Sequence, residues 1–266
     1  MTPRLSAVKA SRHVLQIGIA AAALTAGIRL ATGHALSGVE KYCPFGGLET
    51  AWSFVTRRSF SCAAGELNFA LFLALIGLTF LARKAFCAWV CPVGAVSEGI
   101  LALARRIGGR LPLTPPPRVD AALRWLRLPV LVVILAATWK TGELVFRGYD
   151  PYYILFSAHG HEVKIWSYSL LAAVLGLALL VPMAWCRYLC PLGITLWPFS
   201  ALGRLRLHRT EASCTGCGAC TRVCPHGIAV GSSTEIRSGE CTLCLECVEA
   251  CPAAGALELR VEALRR

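Results

Sequence analysis

Two cysteine runs near the C-terminus carry the clearest chemistry in this chain. "CTGCGACTRVCP" holds Cys214, Cys217, Cys220 and Cys224 and closes on Pro225. "CTLCLECVEACP" holds Cys241, Cys244, Cys247 and Cys251 and closes on Pro252. Both read Cys-x2-Cys-x2-Cys-x3-Cys-Pro, a spacing that suits iron–sulfur ligation. Three closely spaced thiolates on one curling loop reach three irons of a cubane, and the fourth begins a turn that points at another cubane. One cluster should then take Cys214, Cys217, Cys220 and Cys251, and the other Cys241, Cys244, Cys247 and Cys224. Gly216 and Gly218 let backbone N–H groups approach the sulfurs. Zinc is the competing reading, because zinc sites also use Cys-x-x-Cys pairs, with four ligands per metal. Here each run adds a third Cys at the next step and a Cys-Pro after it. Two [4Fe–4S] clusters are expected, with the apolar segments "GIAV" and "GALEL" pairing as small strands over them.

Two further phrases pair thiols differently. "FCAWVCPVGA" contains Cys87 and Cys91, and "WCRYLCPLGI" contains Cys186 and Cys190. Each has an aromatic residue, Cys, three residues, Cys-Pro, one apolar residue and Gly. Each follows a long hydrophobic stretch. Cysteines four apart lie on one face of a helix, and the Pro ends or bends that helix. Three readings stand: buried structural cysteines, a disulfide switch, or a shared metal, cluster or other redox site. Cysteines four apart in a regular helix are poorly placed to bond each other, and two matched pairs are too regular for packing alone. The redox or metal site is therefore preferred, with a third metal or cluster as its fullest form.

These sites must be positioned by apolar elements. Of the 266 residues, 56% are hydrophobic and 16% charged, too greasy for an ordinary soluble domain. Segments Val14–Thr32, Leu67–Ala82, Leu123–Trp139 and Ile165–Trp185 approach the about 20 residues a spanning helix needs. The expected fold is an α-helical integral membrane protein of four transmembrane helices, residues 1–203. A small C-terminal α+β two-cluster ferredoxin domain follows, residues 204–266.

The net charge is +12. Arg4, Lys9 and Arg12 precede the first span, Arg83, Lys84, Arg105, Arg106 and Arg110 follow the second, and Arg187, Arg204, Arg206 and Arg209 follow the fourth. By the positive-inside rule, both termini and the cluster domain are cytoplasmic, and the excess of cations reports topology, not nucleic-acid binding. The stretch Arg204–Arg209 is expected to tether the domain at the bilayer surface. The basic N-terminus followed by "TGHALS" also fits a cleaved signal peptide, but the apolar run is long for one. Almost no ionisable side chain lies within the spans, which disfavours a pump or transporter. No nucleophile–base pair or phosphate loop supports a hydrolase or transferase.

The order of four spans, "FCAWVCP", "WCRYLCP" and two ferredoxin runs resembles the NapH family, the membrane ferredoxin subunit associated with periplasmic nitrate reductase. It is similar also to the membrane halves of the nitrous-oxide regulator NosR and related polyferredoxins. The resemblance implies an inner-membrane protein that exchanges electrons between the quinone pool and redox partner proteins, as a quinol dehydrogenase-type subunit in a membrane complex. A maturation factor that reduces a metal or thiol, and an iron–sulfur sensor, are the alternatives. No outer loop is long enough for the flavin domain of NosR-like proteins. On the outer face, Cys43 and Cys62 are candidates for a disulfide or for free or ligand-binding thiols. His159 and His161 are candidates for metal binding or for accepting quinol protons. Glu40, Glu49, Asp150 and His34 are further candidates for a quinol site.

Overall fold

A computed structural model describes residues 3–31, 44–58, 65–107, 115–142, 144–157 and 165–262. The chain opens with helices α1 (Pro3–Ala31), α2 (Pro44–Arg57), α3 (Gly65–Ala82), α4 (Ala85–Trp89) and α5 (Pro92–Ile107). They continue as α6 (Pro117–Arg124), α7 (Arg127–Thr141), α8 (Pro151–Ser157), α9 (Ile165–Leu180), α10 (Pro191–Thr195) and α11 (Trp197–Ala201). Proline opens α2, α5, α6, α8 and α10, where its missing N–H would have had no intrahelical partner. Gly142 closes α7 in the left-handed conformation at φ 79°, and its N–H donates to the Thr138 carbonyl at 2.8 Å. Strand β1 (Leu205–Arg209), short helices α12 (Ala219–Arg222) and α13 (Glu246–Glu249), and strand β2 (Leu257–Val261) complete the chain.

Among the described residues, two helices are long and apolar enough to cross a membrane: Gly65–Ala82, and the continuous Pro117–Thr141 formed by α6 and α7. Trp166–Leu180 is apolar but shorter. The 29-residue α1 covers the first expected span as far as Ala31.

The chain gathers into two compact units. One combines Met1–Ile17, Ile76–Cys91 and Leu196–Arg266; the other combines Gly18–Leu75 and Pro92–Thr195. In the first, β1 and β2 form an antiparallel ribbon in which Leu205 faces Val261, Leu207 faces Leu259 and Arg209 faces Leu257. This corrects one expectation. "GALEL" does supply a strand, but its partner is Leu205–Arg209 and not "GIAV". Gly227 turns the chain at φ 63°, and the "GIAV" segment then curls into a 3-10 turn at Val230–Ser232. The basic "LRLHR" stretch, expected as a surface tether, is strand β1, whose alternate residues Leu205 and Leu207 point into the core. That core joins Leu207, Val230, Ile236, Leu243, Leu245 and Leu257 to the buried Cys220, Cys241 and Cys247, with Ala82 packed against it. Each fully buried Leu contributes roughly 1.5–3 kcal/mol.

In the second unit, α2 packs on α7, α5 on α8 and α9, and α10 on α7. Glu49 of α2 is buried and accepts a 2.6 Å hydrogen bond from the Thr138 hydroxyl.

Candidate iron–sulfur centres

The eight C-terminal thiols separate into two sets in space. Cys214, Cys217, Cys220 and Cys251 line one open cavity of about 320 Å³. Cys224, Cys241, Cys244 and Cys247 line a second, tighter one. Each set takes three thiols from one run and the fourth from the other, the crossed grouping that the spacing leads one to expect. A cubane wants four thiolates around a shared volume, so the donor chemistry of both cavities fits.

Matched backbone geometry aims donors at the sulfurs. In the first run Gly216 (φ 70°) and Gly218 (φ 67°) are left-handed; in the second the equivalent residues are Leu243 (φ 52°) and Leu245 (φ 65°). The turns direct the N–H groups of Gly216 and Ala219 at Cys214 and Cys217, and those of Leu243 and Glu246 at Cys241 and Cys244. The environments differ nonetheless. Cys217 is exposed, whereas Cys241 and Cys247 are buried. The Gly216 N–H, and after it the Arg209 guanidinium, hold the Cys214 thiol below its ordinary pKa. Burial instead pushes the Cys244 thiol up to about 12 and raises Cys241 and Cys247.

The second loop is clamped by cations. The buried Arg12 guanidinium donates to the Cys244 carbonyl at 2.7 Å and pairs with Glu246 at 3.2 Å. Lys84 pairs with Glu240 at 3.0 Å, both buried. Arg83 donates to the Ile236 carbonyl and, at 2.7 Å, to that of Ser238. Arg12, Arg83 and Lys84 count as topology signals in the sequence, yet their tips turn inward onto the loop. Lys84 stands two residues before Phe86, where the first Cys-x3-Cys-Pro phrase begins.

The two Cys-x3-Cys-Pro phrases share one unusual turn. The Cys91 N–H donates to the Phe86 carbonyl at 2.9 Å, and the Cys190 N–H to the Trp185 carbonyl at 2.8 Å. Both bonds reach back five residues, as in a π turn, a local widening often found at functional sites. The regular helix expected there is thus widened in the same way twice, and Pro92 and Pro191 then start new helices. Between its cysteines, the first turn places Trp89, whose indole N–H donates to the Leu243 carbonyl at 3.2 Å. The Gln16 amide donates to the Ala88 carbonyl at 2.8 Å. The second turn places Arg187 and Tyr188 there, and both bond Asp120, the tyrosine hydroxyl at 2.7 Å. Cys87 and Cys91 belong to the first compact unit, Cys186 and Cys190 to the second. Burial raises the Cys87 thiol pKa, with Lys84 acting in the opposite direction.

Of the outer-face candidates, Cys43, Cys62, His34, Glu40, His159 and His161 lie outside the described residues. Glu49 and Asp150 are both buried. Burial raises the Glu49 carboxyl to about 7, against the Thr138 hydroxyl and the Phe146 N–H, which favour its charged form. His208, Glu235 and Glu262 also converge, but Arg206 already pairs with both carboxylates.

Comparison with known proteins places this constellation. A family model described as a 4Fe-4S binding domain matches twice, at residues 65–110 and 164–209, once over each Cys-x3-Cys-Pro phrase. A 4Fe-4S dicluster domain matches residues 206–252. The chain is 32% identical over 242 residues to YccM of Escherichia coli (strain K12), covering 85% of this chain and 64% of that relative's length. It is 31% identical over 254 residues to the methylamine utilization ferredoxin-type protein MauN of Methylorubrum extorquens, covering 90% and 83%. To the ferredoxin-type protein NapH of Haemophilus influenzae it is 28% identical over 196 residues, covering 70% and 64%. No solved structure matches. Fold and site define a ferredoxin-type iron–sulfur electron-transport protein. The chain belongs to the NapH-like polyferredoxin family.

Proposed function

We propose that this protein is a multi-pass membrane electron carrier that links the quinone pool to a redox partner protein through two [4Fe–4S] clusters. One is held by Cys214, Cys217, Cys220 and Cys251, the other by Cys224, Cys241, Cys244 and Cys247. The observation that carries this reading is the crossed grouping of the eight thiols into two cavities. Bound clusters supply one-electron transfer. Everything else is the chain's work. The left-handed turns aim N–H groups at sulfur, the buried core excludes water from the second site, and the exposed Cys217 opens the first to a soluble partner.

The four apolar segments cross the inner membrane with both termini and the cluster domain on the cytoplasmic side, as the distribution of cations favours. A quinol gives up two electrons and two protons. The electrons leave one at a time, and the protons return to water. Cys87, Cys91, Cys186 and Cys190 supply further redox or metal-binding thiols at the membrane face. The repeated π turn and the twofold match to a 4Fe-4S binding domain support this role.

Iron and acid-labile sulfide, measured on anaerobically purified full chain, test this directly. About eight irons per chain correspond to two cubanes and about twelve to three. Changing the four membrane-face cysteines to serine should lower the count from about twelve to about eight if they hold a cluster. Anaerobic addition of a water-soluble quinol should then reduce the clusters. Full iron content with no reduction by quinol would overturn the quinone link and leave the cluster assignment standing.

A further inference from the structure

The three cations on the second loop are not equivalent. Lys84 has Glu240 and Arg12 has Glu246. Arg83 is 0% exposed and bonds only neutral carbonyls, those of Ile236 and Ser238. Among the described residues no carboxylate pairs with it. Glu235 acts on it only from beyond contact and is itself held by Arg206 and Arg237. A buried charge without a counter-charge is strongly disfavoured, so a folded chain that keeps one implies an anion nearby.

The chain builds around Arg83 at some cost. Its backbone is left-handed at φ 57°, a conformation that non-glycine residues avoid. Its stem runs against Gly203, where a Cβ would lie 2.7 Å from the Arg83 Cγ. Burial lowers its pKa, and the largest influence in the other direction is the Cys241 thiolate. Two flanking carbonyl bonds fix the guanidinium on the loop that leads into Cys241. A cubane with four thiolate ligands is a net anion in both oxidation states, and it gains one further negative charge when it accepts an electron.

We propose that Arg83 is the counter-charge of the cluster held by Cys224, Cys241, Cys244 and Cys247, a positioning residue that raises that cluster's reduction potential selectively. This rests on the two-cluster reading above. The charge is fixed, and the step it favours adds one electron and no proton. The other cavity has no comparable buried cation among the described residues. There Arg209, which also acts on Cys214 and pairs with the exposed Glu211, and the exposed Arg222 bond the Ser233 and Cys217 carbonyls.

The test is an anaerobic, dithionite-driven redox titration of the full chain in detergent, followed by electron paramagnetic resonance. Arg83→Gln is compared with Arg83→Lys, and Cys217→Ser identifies the signal of the first cluster. In Arg83→Gln the second cluster's reduced-to-oxidised ratio at fixed potential should fall by about tenfold, a shift of about 59 mV for one electron. The first cluster should not move, and Arg83→Lys should restore most of the loss. Loss of the second cluster from Arg83→Gln but not from Arg83→Lys also supports the assignment. An unmoved potential with full iron, equal shifts in both clusters, or cluster loss from both variants would overturn it. A wild-type chain with far fewer than about eight irons defeats the two-cluster reading itself, which iron analysis reveals before any titration.

Discussion

The two cysteine runs share one spacing and build two different surroundings. At the positions where the backbone must turn left-handed, the first run has Gly216 and Gly218 and the second has Leu243 and Leu245. Glycine meets the turn without strain and leaves Cys217 exposed. Leucine strains the backbone by about 1–2 kcal/mol per residue, but both leucines are buried, at 4% and 3% exposure. Burial of roughly 1.5–3 kcal/mol per side chain exceeds that strain. Ligation geometry thus dictates the φ values, and the neighbours decide which residue can hold them. One half exposes Cys217 to solvent, and the other is sealed and clamped.

Breaking the clamp should have the largest effect. Glu240→Gln leaves Lys84 buried without its carboxylate, and we expect a loss of about 3–5 kcal/mol, read as a lower melting temperature with preferential loss of the second cluster. Glu211→Gln removes the exposed partner of Arg209 near the first run and should leave melting unchanged. A similar drop in both variants would break the contrast between the halves.

The leucines sharpen it next. Leu245→Ala should cost about 2–5 kcal/mol through the cavity it leaves. Leu245→Gly should be no worse, because the strain it relieves offsets the smaller side chain, against the usual ranking in which Gly is poorer than Ala. A clearly less stable glycine variant in chemical denaturation would mean that left-handed strain is not what Leu245 bears.

In the first run the same logic runs in reverse and more weakly. Gly216→Ala meets no atom within 4 Å, so only its φ of +70° is strained. We expect about 1 kcal/mol, with faster bleaching of the first cluster in air. Smallest is Trp89→Phe, which removes the hydrogen bond to Leu243 and about 1 kcal/mol or less. Its effect should appear in the second cluster's spectrum and not in the first.

Much of the site is legible in the sequence because ligand spacing is local. The gathering of Cys214, Cys217, Cys220 and Cys251 around one cavity, and of Cys241, Cys244, Cys247 and Cys224 around another, is the grouping the runs lead one to expect. The strand partner of "GALEL" is not local. "LRLHR" alternates as a strand should, but its charges direct attention to the membrane surface. Arg12, Arg83 and Lys84 are obscured for a related reason: a sidedness rule counts cations at a helix end and is blind to where their tips point. The π widening at Cys91 and Cys190 has no one-residue mark, since it depends on a Pro and on packing around Trp89, Arg187 and Tyr188. The apolar segments are visible by composition. Two of the resulting helices reach full spanning length and apolarity among the described residues.

Arg12 reaches the Cys244 carbonyl across 232 positions of chain. The loop around Cys241 and Cys244 therefore cannot close until the chain between Arg12 and Cys244 has been made. Such distant pairing is slow, since loop closure must precede any gain from contact. During that interval, nascent thiols stand open to insertion of iron and sulfide. A C-terminal fragment cut at the start of the cysteine runs would lack Arg12, Arg83 and Lys84 together. A bulky group placed beside Arg12 would be felt at Cys244, 232 positions further along the chain.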